Sequence, residues 1–211
     1  MPLDAICLRA VTNELQEQIL GARIDKVQQP SRDQIILLLR GNLRLLFSAN
    51  PNQPRVQLTE ELRDNPAEPP MFCMLLRKHL IGGRITAIEQ PGLERIVIFT
   101  IKSTNEIGEA GVKKLVLEAM GRRANLLLLD EENRILDCLR RVEFETSGAR
   151  ALLPGLYYTL PSPLQKVSLL EEGALETLNK ASGEECVDRF ILDHFLGISP
   201  LIAREIATAA G

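Results

Sequence analysis

Apolar residues recur at helical spacing along the opening segment and at strand spacing soon after it. Leu8, Val11, Leu15 and Ile19 lie three or four positions apart, on one face of a helix that Asp4 can cap and Gly21 can close. The runs "ARIDKVQQ", "DQIILLLR" and "LRLLFSAN" then read as short strands. Gly41 and Asn42 join the last two and supply the positive φ of a tight hairpin, which predicts antiparallel neighbours. From Pro51 to Pro70 the chain is proline-rich and polar apart from "RVQL", the pattern of a surface connector. In "PPMFCMLLRKHLIGGRI" the residues Phe72, Leu75, Leu76, His79 and Leu80 share a helical face, prolines precede the start and two glycines end it. Arg77 and Lys78 fall in its last turn, where the helix dipole favours cations by a few tenths to about 1 kcal/mol.

Further along, "RITAIEQ", "ERIVIFTIKS", "KKLVLEAM" and "ANLLLLDEENRILDCLRRVEF" predict four or five more strands, with "DEEN" as a turn. Residues 1–163 are therefore expected to form an α+β domain, a two-layer antiparallel β structure with two helices. Pro154, Pro161 and Pro163 mark an extended linker at its end. Over residues 164–211 the helical period returns. One helix runs through Phe190 and Ile191 and stops at Gly197; Ser199 caps the next, with Pro200 in its first turn. This segment reads as the start of a helical module, and the whole as a piece of a longer protein.

With 211 residues, 45% of them hydrophobic, the chain can bury a substantial core, which excludes disorder as its general state. A formal charge of -3 offers no global attraction to a polyanion, so any anion site must be a local patch. Cys7, Cys73, Cys138 and Cys186 form no CxxC pair, which argues against a zinc finger and against a disulfide framework. Asp4 and the lack of a basic region before a long apolar run argue against a secretory signal, and no stretch approaches the roughly twenty apolar residues of a membrane span. A cytoplasmic protein that avoids membranes is expected.

Candidate chemistry narrows the classes further. His79 lies on the apolar side of its helix and the other histidine, His194, is remote in sequence, so a packed, hydrogen-bonded histidine is expected, with no metal and no cofactor. "GGRI" and "GEAGVKK" lack phosphate-loop spacing, and "ETSGAR" lacks the glycines of a nucleophile elbow. Pro2 would expose a secondary amine after loss of Met1 and could form an iminium with a sugar aldehyde, the route of a DNA glycosylase or lyase. Arg77, Lys78, Arg84, Arg95, Arg122, Arg123, Arg140 and Arg141 lie beside apolar runs, where guanidinium forks can reach phosphates or simply stay solvated.

The ordered series "LDAICLRAVTNEL", "GARIDKVQQP", "FSANPNQPRVQLT", "PPMFCMLLRKHLIGGRI", "QPGLERIVI", "LEAMGRRANLLLLD", "RILDCLRRV" and "LLPGLYY" resembles the NFACT N-terminal domain of the RqcH, FbpA (fibronectin-binding protein A-like) and NEMF family. The tail, with "LGISPLIAREI", resembles the helix-hairpin-helix-like region that follows in the same family. The resemblance implies a fold related to the N-terminal domain of formamidopyrimidine-DNA glycosylases without their chemistry, and hence no enzyme. It implies a ribosome-associated quality-control factor that binds tRNA and stalled large ribosomal subunits with peptidyl-tRNA, recruiting aminoacyl-tRNA for untemplated C-terminal alanine addition. Fibronectin is implied as a secondary partner. On this resemblance Asp4 matches the family's acid in the first helix, while Glu94 and Arg95 stand where the family has an Asp-Arg pair, one methylene longer at the acid. Glu118 and Arg122 match its "EAMGR" motif, and Arg77, Lys78 and Arg84 are expected to add a basic patch facing RNA. Gly197, Ile198 and Ser199 replace the usual GxG of the helical region, which suits packing better than a phosphate cradle.

Overall fold

A computed structural model of the chain describes residues 3–61, 63–104, 110–144, 150–162, 165–181 and 185–210. The first helix, α1 (Ala5–Ile19), buries Leu8, Leu15 and Ile19, and Asp4 caps it by accepting the Cys7 N–H at 2.8 Å. Two antiparallel meanders follow. The first holds β1 (Ile24–Ser31), β2 (Gln34–Leu39), β3 (Leu43–Ser48) and β4 (Arg55–Leu58) in sequence order. After α2 (Met71–Leu80) the second holds β5 (Arg84–Glu89), β6 (Ile96–Thr104), β7 (Ala110–Glu118), β8 (Asn125–Leu129) and β9 (Ile135–Cys138), also in sequence order. The β2–β3 turn carries φ of 93° at Gly41 and 65° at Asn42, the left-handed pair that the hairpin requires.

The inner faces of the two sheets meet: Phe47 of β3 and Phe99 of β6 cross edge to face, with ring centroids 4.9 Å apart. α1 packs on β4 and β5, and α2 on β1, β6 and β9. The sheets are stitched along one seam, where Ile24 N–H donates to Gly83 O (2.8 Å), Gly82 N–H to Ile24 O (2.8 Å) and Ile85 N–H to Ala22 O (3.1 Å). The α+β layering expected from the sequence is thus present.

Several local expectations need correction. "RVQL" is a strand, because the free edge of β3 pairs it from Leu45–Leu58 to Ser48–Arg55; four residues were too short a run to show strand period on their own. On α2 the buried stripe is Phe72, Cys73, Leu76 and Leu80, while Leu75 and His79 only flank it. His79 is half-buried beside Lys113 and Lys78, and burial, then those two cations, lowers its pKa; it is not the hydrogen-bonded core residue expected. Part of the presumed linker covers the sheet. Leu152 and Tyr158 pack with Ile96, Val116, Leu127, Leu129 and Ile135 on the outer face of the second sheet, so β8 is buried throughout.

Beyond residue 165 come α3 (Gly173–Leu178), α4 (Val187–His194) and α5 (Pro200–Ala210). Phe190, Ile191, Phe195 and Ala203 form their small core. α4 ends at His194, three residues before the glycine expected to stop it. Ser199 caps α5 as expected, accepting the Ile202 N–H at 3.3 Å.

Candidate nucleic-acid interface

The candidate residues come from four separate places in the chain, and the fold brings most of them to one end of the domain. Gln90 directly follows strand β5, and the turn after it is closed by a hydrogen bond from Glu94 N–H to Pro91 O at 3.0 Å. The buried Gln90 side chain fixes this turn to the first helix, donating to Glu94 O (2.7 Å) and to Ala5 O (2.9 Å). Leu93 is buried beneath the turn, and Ala119 N–H holds Arg95 O at 2.7 Å. Glu94 is therefore left half-exposed and the Arg95 side chain exposed, on a backbone held at both ends.

The end of β7 leads into a short 3-10 turn, Gly121–Arg123, in which both arginines are exposed. The helical module closes the opposite wall. Ala5 N–H donates to Gly197 O at 3.2 Å, and Ser199 Oγ donates to the Asp4 carboxylate at 2.7 Å. Gly197 is required at this contact: its φ is 83°, and a Cβ there would lie 2.9 Å from Leu93 Cβ and 3.0 Å from Ala5 Cβ.

These walls enclose an open cleft of about 620 Å³, and Asp4, Glu94, Arg95 and Arg122 all line it. Arg123, Lys166 and Ser199 line it too, so cations from three segments surround two carboxylates. Asp4 is only 7% exposed and is engaged by Cys7 and Ser199, so it shapes the wall more than it offers free oxygens. Arginine forks at exposed positions can take phosphate oxygens in pairs, and a half-exposed carboxylate can accept base amino groups or orient a neighbouring guanidinium. Lys166, whose ammonium donates to Leu192 O, was missed from the sequence because nothing local marks it.

Glu118 stands apart from its expected place. It is 1% exposed, both of its oxygens accept from Arg150 Nη2 at 2.7 Å, and Tyr158 Oη donates to one of them at 2.8 Å. It anchors the covering segment and the strand end before Arg122, and its carboxylate has no path to a ligand. Arg77 and Arg84 are also spent partly on the fold: Arg77 Nε donates to Val27 O (3.0 Å) and Arg84 Nη1 to Gly21 O (3.1 Å). Arg84 lies at the C-terminal end of α1, whereas the cleft lies at its N-terminal end, roughly 22 Å away along a helix of this length. Lys78 is exposed on α2, and neither it nor Arg77 lines the cleft. Pro2 lies outside the described residues. Among the described residues no cluster of His, Cys, Asp and Glu could hold a metal ion, and no helix is long and apolar enough to cross a membrane.

Comparison with known proteins agrees with this architecture. The chain is 46% identical over its full length to the Rqc2 homolog RqcH of Bacillus subtilis and spans 38% of that protein's length. It is 31% identical, over 99% of its length, to the archaeal Rqc2 homolog aRqcH of Methanocaldococcus jannaschii, of which it spans 31%. Among solved structures, the N-terminal domain of the fibronectin-binding protein PavA from Streptococcus pneumoniae superposes with a TM-score of 0.89 at 35% identity, over 99% of this chain and 79% of that one. The N-terminal part of the fibronectin/fibrinogen-binding protein from Streptococcus suis gives 0.90 at 32% identity, over 97% and 78%. The family model for the NFACT N-terminal and middle domains matches residues 4–211, and the chain therefore belongs to the NFACT family.

Proposed function

We propose that this chain is the tRNA-holding part of a ribosome-associated quality-control factor. In the longer protein it would act on stalled large ribosomal subunits carrying peptidyl-tRNA, and present aminoacyl-tRNA for untemplated C-terminal alanine addition. The observation that carries the reading is the convergence of Arg95, Arg122, Arg123 and Lys166 with Glu94 on one open cleft. Relatives named for ribosome quality control, bacterial to yeast, support the pathway. Phosphates supply most of the affinity in such a site, while a few side chains on exposed bases discriminate. The role is binding rather than catalysis, and the kinship in fold with the formamidopyrimidine-DNA glycosylase N-terminal domain is one of topology.

Arg95→Ala tests the assignment. It should weaken tRNA binding about tenfold or more in a filter or anisotropy assay while leaving the melting temperature unchanged, since the side chain is exposed. Equal affinities for wild type and variant remove Arg95 from the site. The names of the solved neighbours favour fibronectin binding as a second reading. Surface plasmon resonance against immobilised fibronectin at physiological salt separates the two, because a cleft built for tRNA predicts competition by tRNA and an independent adhesive face does not.

A further inference from the structure

We propose that Arg40, Arg23, Arg84 and Lys102 form a second anion-binding surface, which takes the sugar-phosphate backbone of RNA independently of the cleft. The four residues stand in one line across the seam of the two sheets. Arg40 N–H donates to Arg23 O at 2.8 Å, Arg23 bridges Arg84, and Arg84 pairs with Lys102 in the β5–β6 register. Their strand neighbours Leu39, Ile24, Ile85 and Ile101 are all core residues, so the pleat sends the four cations together to the outside. Arg40, Arg84 and Lys102 are exposed and Arg23 is half-buried.

Three strand-to-strand steps place the row over roughly 14 Å. Like charges directly opposite each other on neighbouring strands destabilise a sheet, and here the arrangement occurs three times in succession. The chain carries a formal charge of -3, yet among the described residues Asp25 is the one acid within ion-pair reach of the row, and Arg84 Nη1 donates to a backbone carbonyl, Gly21 O, at 3.1 Å. Asp25 Oδ1 lies 3.8 Å from Arg23 Nε, and Nε itself is buried without a hydrogen-bond partner. Lys26 and Arg44, both opposite Leu38, extend the positive charge over the outer face of the first sheet.

A regular line of cations at strand spacing suits a polymer of evenly spaced phosphates better than it suits a single small anion, and three of the four members are guanidinium forks. The row and the cleft lie at opposite ends of β6. Lys102 is six residues from Ile96, or roughly 20 Å, so one folded RNA can engage both or a duplex can engage the row alone.

The test uses the whole chain and a blunt-ended RNA duplex lacking loops. Wild type should bind it with steep salt dependence. Arg40→Glu with Lys102→Glu should lower that affinity about tenfold or more and flatten the slope of log K against log salt by about two, while Arg95→Ala leaves duplex binding intact. Arg40→Gln with Lys102→Gln should raise the melting temperature of the free chain at low salt, because it removes repulsion without touching the core, and should still weaken duplex binding. The proposal is overturned if wild type does not bind the duplex, or if the Glu pair binds it as wild type does. It is equally overturned if the charge dependence is seen only with phosphatidylglycerol vesicles. Failure of Arg95→Ala to affect tRNA binding would count against the cleft and leave the row standing.

Discussion

The Asp4 carboxylate serves the starts of two helices far apart in sequence: one oxygen accepts from Cys7 N–H of α1 at 2.8 Å, and the other from Ser199 Oγ, the cap of α5, at 2.7 Å. The pair ties the helical module to the sheet domain at the wall of the cleft, so the residue that the family resemblance assigns to RNA acts here by holding the wall in place. Asp4→Ala should cost about 1–2 kcal/mol by loss of the cap and of the Ser199 bond. Ser199→Ala should cost about 1 kcal/mol, and the double variant should fall short of the sum. Urea denaturation of the four proteins measures the coupling, and strict additivity would exclude the tie.

Gly197 supports the same wall by its lack of a side chain. Gly197→Ala combines a left-handed backbone with contacts near 3 Å, whereas Gly41→Ala pays only for the backbone because nothing lies within 4 Å of its Cβ position. Both should destabilise by about 1–2 kcal/mol for φ, and Gly197→Ala by more, with weakened tRNA binding as the module shifts. Equal melting temperatures for the two variants would refute the close packing.

Glu118→Ala removes the buried carboxylate of an ion pair, which accepts from Arg150 Nη2 and from Tyr158 Oη. A loss of about 3–5 kcal/mol is expected by chemical denaturation. A cost below about 1 kcal/mol would place the pair among surface bridges instead.

Tyr158 gives a pH signature. Burial, and then the Glu118 carboxylate it bonds, pushes the phenol well above its ordinary range. A group raised in the folded state contributes stability that is complete below its unfolded pKa, about 10, and is lost as the pH climbs above that value, by up to about 1.4 kcal/mol per unit. In a Tyr157→Phe background the remaining phenolate absorbance should therefore appear together with the unfolding transition, and reversible ionisation of the native protein near pH 10 would contradict the buried bond.

Burial and the neighbouring Asp137 carboxylate push the Cys138 thiol up to about 12. Its Sγ also donates to Leu152 O at 3.3 Å. At pH 8 iodoacetamide should spare Cys138 and label the exposed Cys186, as peptide mass mapping can read directly.

What could be read from the sequence was whatever a periodic local pattern encodes. α1 with its Asp4 cap, the Gly41–Asn42 hairpin and the five strands of the second sheet are repeats of period 3.6 or 2 bounded by turn residues. β4 was hidden because its identity comes from the β3 edge. The role of Glu118 was hidden for the same kind of reason: its partners lie 32 and 40 residues away, and no spacing rule links a strand end to a distant arginine and tyrosine. Asp4 and Ser199 are 195 positions apart, so the cleft's wall was legible only as two unrelated caps. Arg95 and Arg122 could be named from motifs, yet their meeting in one cleft depends on the path of β6 and β7 between them.

The strictly sequential order of both sheets bears on how the molecule is made. Within each sheet every strand after the first pairs with the one synthesised just before it, so each meander can zip up locally as it leaves the ribosome, at little loop-closure cost. The cleft follows a different schedule: its last wall arrives with Gly197 and Ser199, so the nascent chain completes it only after almost all of this segment has emerged.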